Sequence, residues 1–153
     1  MSVVDSKRVL RDVVDVFLGA MKALRLGVLG CGIDEHGDVY VQCRLPQPGV
    51  KGVESFQTNV SNMARDVILL DRDQPQLGID PRISSPSCLG EKIRAVVAHR
   101  MAIIEAVMET DEQEWRRKLD AVGSRSGRLR VWKATEDGEL TTTLWYEQGE
   151  VVQ

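Results

Sequence analysis

The chain predicts an α+β fold, with amphipathic helices packed against a small antiparallel sheet built from two hairpins. Three observations carry that expectation. Apolar residues recur at steps of three and four through Val9–Leu24 and Ile93–Met108, they alternate at strand spacing in Val39–Leu45, and Asp137-Gly138 sits between two further strand-like runs. With 153 residues and 42% hydrophobic content, the chain is long enough for one substantial core, so residues 1–153 are read as a single domain.

The first element is a helix from about Val3 to Arg25. Val9, Leu10, Val13, Val14, Phe17, Leu18, Met21 and Leu24 make its stripe, and Asp5 or Ser6 can cap its start by accepting free backbone donors. Gly27, Gly30 and Gly32 then penalise continued helix. In the next run, Val39, Val41, Cys43 and Leu45 share one face, with Tyr40, Gln42 and Arg44 on the other. A three-residue loop, Glu35-His36-Gly37 with Gly37 left-handed, sets Ile33 opposite Val39, Cys31 opposite Val41 and Leu29 opposite Cys43. Loops of two or four residues would put these apolar residues on opposing faces.

Pro46, Pro48, Gly49 and Gly52 mark a loop. Phe56, Val60, Met63, Val67 and Leu70 then step by four and three, favouring a helix from about Ser55 to Asp71; the rival reading is a short strand at Glu54–Val60 followed by a shorter helix. Residues 72–87, rich in proline and serine, form the longest expected loop and are read as mobile. Ser84, Ser85 and Ser87 there are read as caps and turn formers in preference to an anion site.

A central helix is expected over Leu89–Met108. Thr110 and Gln113 match a capping box and open a separate helix, Asp111–Val122, with Trp115, Leu119 and Val122 inward; one uninterrupted helix is the alternative. The last hairpin joins Leu129–Thr135 to Leu140–Tyr146 through a two-residue turn, placing Leu129 opposite Tyr146, Val131 opposite Leu144, Arg130 opposite Trp145 and Trp132 opposite Thr143.

Composition narrows function more than any motif does. A formal charge of −3 opposes binding nucleic acid through overall charge, which requires net positive surface. Cys31, Cys43 and Cys88, odd in number and widely spaced, fit reduced thiols in a cytoplasmic or other intracellular protein. No run of eighteen apolar residues suggests a membrane span, and no signal peptide is read. The G-x-x-G-x-G spacing at Gly27–Gly32 follows a helix, whereas dinucleotide binding needs a preceding strand. His36 and His99 lie in different elements, and Cys88 is about three helical turns from His99, too far for a nucleophile–base pair on one helix. No cofactor, metal or catalytic residue is assigned.

One electrostatic segment stands out. Arg116, Arg117, Lys118, Arg125, Arg128, Arg130 and Lys133 face a single acid, Asp120, with Trp132 among them. That cluster is the candidate surface for RNA or another phosphate-bearing partner, weighed against ordinary solvated or ion-paired side chains. The leading expectation is a noncatalytic assembly, adaptor or scaffold protein that contacts another protein and self-associates as a homodimer. Nucleic-acid binding through 116–133 is the alternative, with a small enzyme third.

Overall fold

The computed structural model describes residues 5–49, 52–72, 74, 79, 88–122, 129–134, 140–147 and 150–152, with side chains described as far as residue 118. In chain order the elements are α1 (Ser6–Ala23), β1 (Gly27–Ile33), β2 (Val39–Arg44), β3 (Val53–Asn59), α2 (Val60–Asp71), α3 (Leu89–Met108), α4 (Glu112–Val122), β4 (Leu129–Ala134), β5 (Leu140–Glu147) and β6 (Glu150–Val152). The strands form one antiparallel sheet in the order β1-β2-β3-β4-β5-β6. The fold is therefore α+β, as its periodicities predict, but β3 stands between the two expected hairpins and joins them.

Helices α1, α2 and α4 begin where a short polar side chain satisfies open backbone donors. Asp5 caps α1, its Oδ1 accepting from the Lys7 amide at 3.0 Å. The buried row Val9, Val13, Phe17 and Met21 follows at steps of four. Asn59 caps α2 by accepting from the Asn62 amide at 2.8 Å. The break after α3 is real, but Thr110 does not cap α4. Asp111 does, its Oδ1 accepting from Gln113 and Glu114 at 2.8 and 3.1 Å, since a charged carboxylate is the stronger acceptor for the positive helix end.

The expected helix over Ser55–Asp71 is corrected to β3 followed by α2, the rival order. The step of four from Phe56 to Val60 crosses a strand-to-helix junction at Asn59. Phe56 pairs with Cys43 on one side and Val131 on the other. Those two ladders satisfy the backbone of β3 and outweigh a local helical period.

Helices α1, α2 and α3 pack against one another, and α3 also carries α4. The core combines Phe17 and Met21 with Val41, Cys43, Val53, Phe56, Met63, Val67, Leu70, Ile103, Ile104 and Val107. Helix α3 is buried on more than its expected stripe: Ile103 and Ala106 are covered, and so are Lys92 and Arg100. Arg100 reaches inward and donates to Thr58 Oγ1 at 2.7 Å. Lys92 donates to Asp71 Oδ1 at 2.9 Å, tying the end of α2 to the first turn of α3. At the far end of α3, the loop after β2 approaches so closely that a Cβ on Gly49 would lie 2.2 Å from the Val107 carbonyl oxygen. Trp115 of α4 is 1% exposed. The inward placement expected for Leu119 and Val122, the loop over most of 72–87 with its serines, and the Asp137-Gly138 turn lie outside the described residues or side chains.

Candidate interaction edge

Strand β1 lies at one end of the sheet and, among the described residues, is hydrogen-bonded to β2 alone. Its hairpin is set by local chemistry. Gly37 has φ +80°, its amide donates to the Asp34 carbonyl at 3.0 Å, and the Asp34 amide donates to the Asp38 carbonyl at 2.9 Å. This is the three-residue loop with a left-handed glycine that the register required. The Asp34 carboxylate accepts from the amides of His36 and Asp38 at 2.9 and 3.0 Å.

The turn is also fastened to the next layer. Asp38 accepts a pair of bonds from Arg65 of α2, at 3.0 and 2.8 Å, and a third from Asn59 Nδ2 at 2.9 Å. These donors hold its carboxyl well below the usual range, Arg65 contributing most. The Val39 amide donates to Ser61 Oγ at 2.8 Å. The hairpin tip is thus held by α2 and its N-cap.

That bonding phase fixes which way β1 presents its backbone. Because Asp34 and Asp38 exchange hydrogen bonds inward, alternation along the ladder directs Gly32 and Gly30 toward Tyr40 and Gln42 of β2. The amides and carbonyls of Ile33 and Cys31 consequently point to the free edge. Ile33 opposes Val39 and Cys31 opposes Val41 as expected, but the expected pairing of Leu29 with Cys43 is corrected: Val28 takes that place. An extra residue at Val28-Leu29 forms a bulge, which glycines on either side make easy.

Among the described residues the edge is apolar and uncovered. Val28 is 56% exposed, Leu29 48% and Ile33 70%, and Cys31 is an exposed thiol. Val28, Cys31 and Ile33 oppose Cys43, Val41 and Val39, so they share the face on which the helices pack, yet the helices stop short of them. On the other face the Tyr40 ring lies across Gly32, where a Cβ would come 2.7 Å from the phenol oxygen. No residue of β1 carries a charge. Basic Lys22 and Arg25, both exposed, precede it, and Asp34, Glu35 and Asp38 follow it.

The basic segment singled out in the sequence presents differently. Arg116 lies 3.3 Å from Glu112 and 5.2 Å from the centroid of the Trp115 ring. Arg117 is paired with Glu114, its Nε donating at 3.0 Å, and Lys118 donates to Glu109 at 3.0 Å. All three thus occupy carboxylate pairs within α4 or between α4 and the end of α3. Arg125 and Arg128 lie outside the described residues. Arg130, Trp132 and Lys133 are on β4, opposite Gln57, Ser55 and Val53 of β3; their side chains lie outside the description. In the second hairpin Arg130 opposes Trp145 as expected, whereas a register shift brings Trp132 opposite Thr142 instead of Thr143.

The remaining candidates for chemistry sit on separate elements. His36 is at the hairpin tip, 3.7 Å from Glu35. His99 is in the middle of α3, where burial and the neighbouring Arg100 charge push its pKa down to about 4. Cys88 is at the N-cap of α3 and makes no capping bond. Cys43 is buried, donates to Met21 Sδ at 3.6 Å, and has its pKa raised by burial to about 12. Among the described residues no group of three His, Cys, Asp or Glu could hold a metal ion, and no helix is long and apolar enough to cross a membrane. A shallow groove of about 380 Å³ runs between α1 and α3, lined by Val16, Ala20, Val97 and Met101 among others, with Arg94 and Glu105 also at its walls.

The hairpin register places Cys31 and Ile33 on one face with Val41 and Val39, but nothing in the local pattern says that this face is bare. Strand order and helix placement decide the matter, and neither is written in the local pattern. The signal that was present is the smallness of β1: three glycines leave little side chain for a helix to pack upon. Comparison with protein-family models, with curated proteins and with solved structures finds no match to this chain.

Proposed function

We propose that this protein is a noncatalytic assembly or adaptor protein that binds a protein partner by accepting a strand along β1. The uncovered apolar edge carries the reading. A free edge offers a row of unsatisfied amides and carbonyls, and proteins that keep such an edge unoccupied blunt it with lysine, proline or an inward-pointing charge. Strand β1 has none of these, and its bulge at Val28-Leu29, another blunting device, leaves Gly30–Ile33 in regular register. It shows instead Val28, Leu29 and Ile33 at 56%, 48% and 70% exposure, and enclosing a side chain of this size contributes about 1.5–3 kcal/mol. Backbone pairing supplies affinity in such contacts, and alternate side chains supply selectivity. The three-residue turn and its Arg65–Asp38–Asn59 anchor hold the strand extended before a partner arrives, which lowers the ordering cost of binding.

The test is a photo-reactive residue placed at position 29 and, as a control, at exposed position 15 on α1, with irradiation in the producing cell. Protein adducts from position 29, absent from position 15, are expected. Equal adducts from both positions, or none from position 29, would overturn the reading.

A further inference from the structure

We infer that the strand added to β1 is β1 of a second copy of this chain, running antiparallel about a two-fold axis at Cys31. This rests on the edge-binding reading above and names its partner. A two-fold axis through the Cys31 pair sets Cys31 against Cys31 of the other copy and Ile33 against Leu29. The outward-pointing backbone groups of Cys31 then meet their own counterparts, and those of Ile33 meet the bulged segment Val28-Leu29. The bulge at Val28-Leu29 leaves an apolar residue opposite Ile33 whichever of the two takes the place.

Charge selects the antiparallel sense. Lys22 and Arg25 stand before the strand, and Asp34, Glu35 and Asp38 stand after it. A parallel arrangement would bring like ends together. In the antiparallel arrangement the basic turn before one strand, with Arg25, lies at the same end as the acidic turn after the other, with Glu35. The symmetry repeats this pairing at both ends. A self-complementary patch of this kind is what a two-fold interface requires. Its short length places the contact in the small class, below about 1,200 Å² in total, so association in the micromolar range is expected.

Sedimentation velocity on the full chain, from about 1 to 500 μM, reads the equilibrium. The wild type is expected to pass from monomer to dimer over that range, and Ile33→Lys to weaken association at least tenfold while its urea transition stays in place. Arg25→Glu alone and Glu35→Lys alone are expected to weaken it severalfold, and the double variant to restore it. A role in holding the monomer's fold could not produce that rescue. In a Cys88→Ser background, diamide should take two electrons and two protons from the paired Cys31 thiols and leave a disulfide-linked dimer. The expected Cα separation of a hydrogen-bonded antiparallel pair, about 5.5 Å, admits that bond. A monomer at every concentration without a Cys31 cross-link, or a dimer indifferent to Ile33→Lys and the charge exchange, overturns the inference. If purified protein stays monomeric while position 29 still captures a different protein in cells, the edge-binding reading stands and the second-copy inference alone fails.

Discussion

The ion pair between Lys92 and Asp71 tests how this fold treats an enclosed charge. Lys92 Nζ lies 2.9 Å from Asp71 Oδ1, with side chains 6% and 26% exposed. Replacing Asp71 with Asn keeps the shape and a weaker acceptor but leaves the ammonium enclosed without a counter-charge. Removing one partner of a fully enclosed pair costs about 3–5 kcal/mol. A quarter of the Asp71 side chain reaches water, so solvent recovers part of that, and a loss of about 2–3 kcal/mol is expected. Lys92→Met takes away the charge together with its desolvation cost and keeps the stem packed, so its loss should stay within about 1 kcal/mol. At about 2–4 °C per kcal/mol for a chain of this size, Asp71→Asn should lower Tm by about 4–12 °C and Lys92→Met by less than about 4 °C. The double variant should resemble Lys92→Met. Urea and thermal unfolding followed by circular dichroism read all three. Equal losses from the two single variants would refute the reasoning, because they would mean that the pair acts only as a contact between α2 and α3.

Three further outcomes follow from the same structure. Gly49→Ala should destabilise by at least about 2 kcal/mol in urea titration, since its Cβ would sit 2.2 Å from the Val107 carbonyl oxygen and backbone cannot yield as a side-chain end does; Gly19→Ala, with nothing within 4 Å, should stabilise by about 0.5–1 kcal/mol. Acid unfolding should occur in two stages. His99 titrates at about 4 in the folded protein against about 6.5 unfolded, so the unfolded chain binds more protons between those values and stability falls as pH drops through that window. Asp38 is lowered below its unfolded value, so its contribution is complete above about pH 4 and is lost under stronger acid. Stability measured against pH should lose its upper slope in His99→Gln and its lower slope in Asp38→Asn. In dilute native protein a disulfide reagent at pH 8 should modify Cys31 and Cys88 promptly and Cys43 only after unfolding, because Cys43 is buried with its pKa raised to about 12. Three fast equivalents would show that β2 and α1 do not enclose it.

The parts of this fold that local chemistry dictates were legible in the sequence. The stripe of α1, the bounds of α3 and the Glu35-His36-Gly37 turn each follow from spacing or from a residue whose conformation is constrained. Strand β3 was not. Its residues Phe56 and Val60 imitate a helical step, and its identity as a strand depends on partners far along the chain in either direction. The same dependence hid the candidate site. That Val28 and Ile33 face the helix layer follows from register, but that they are bare follows from where α1 and α2 come to rest. Arg116, Arg117 and Lys118 read as a surplus of positive charge along the sequence, because Glu109, Glu112 and Glu114 lie just outside the window in which the surplus is counted.

The joint between β3 and β4 has a consequence for how the molecule is made. Thr58 pairs with Leu129, and Val53 with Lys133, across a stretch that includes α2, α3 and α4. During synthesis the first three strands leave the ribosome well before β4 exists, so the nascent sheet has two open sides, one transient at β3 and one lasting at β1. Long-range closure of this kind slows folding and lengthens the time for which β3 can meet the wrong strand. Until β4 arrives the nascent chain can meet a neighbouring nascent chain through either side; its arrival closes the β3 side and moves that end of the sheet out to β6, with β1 at the other end.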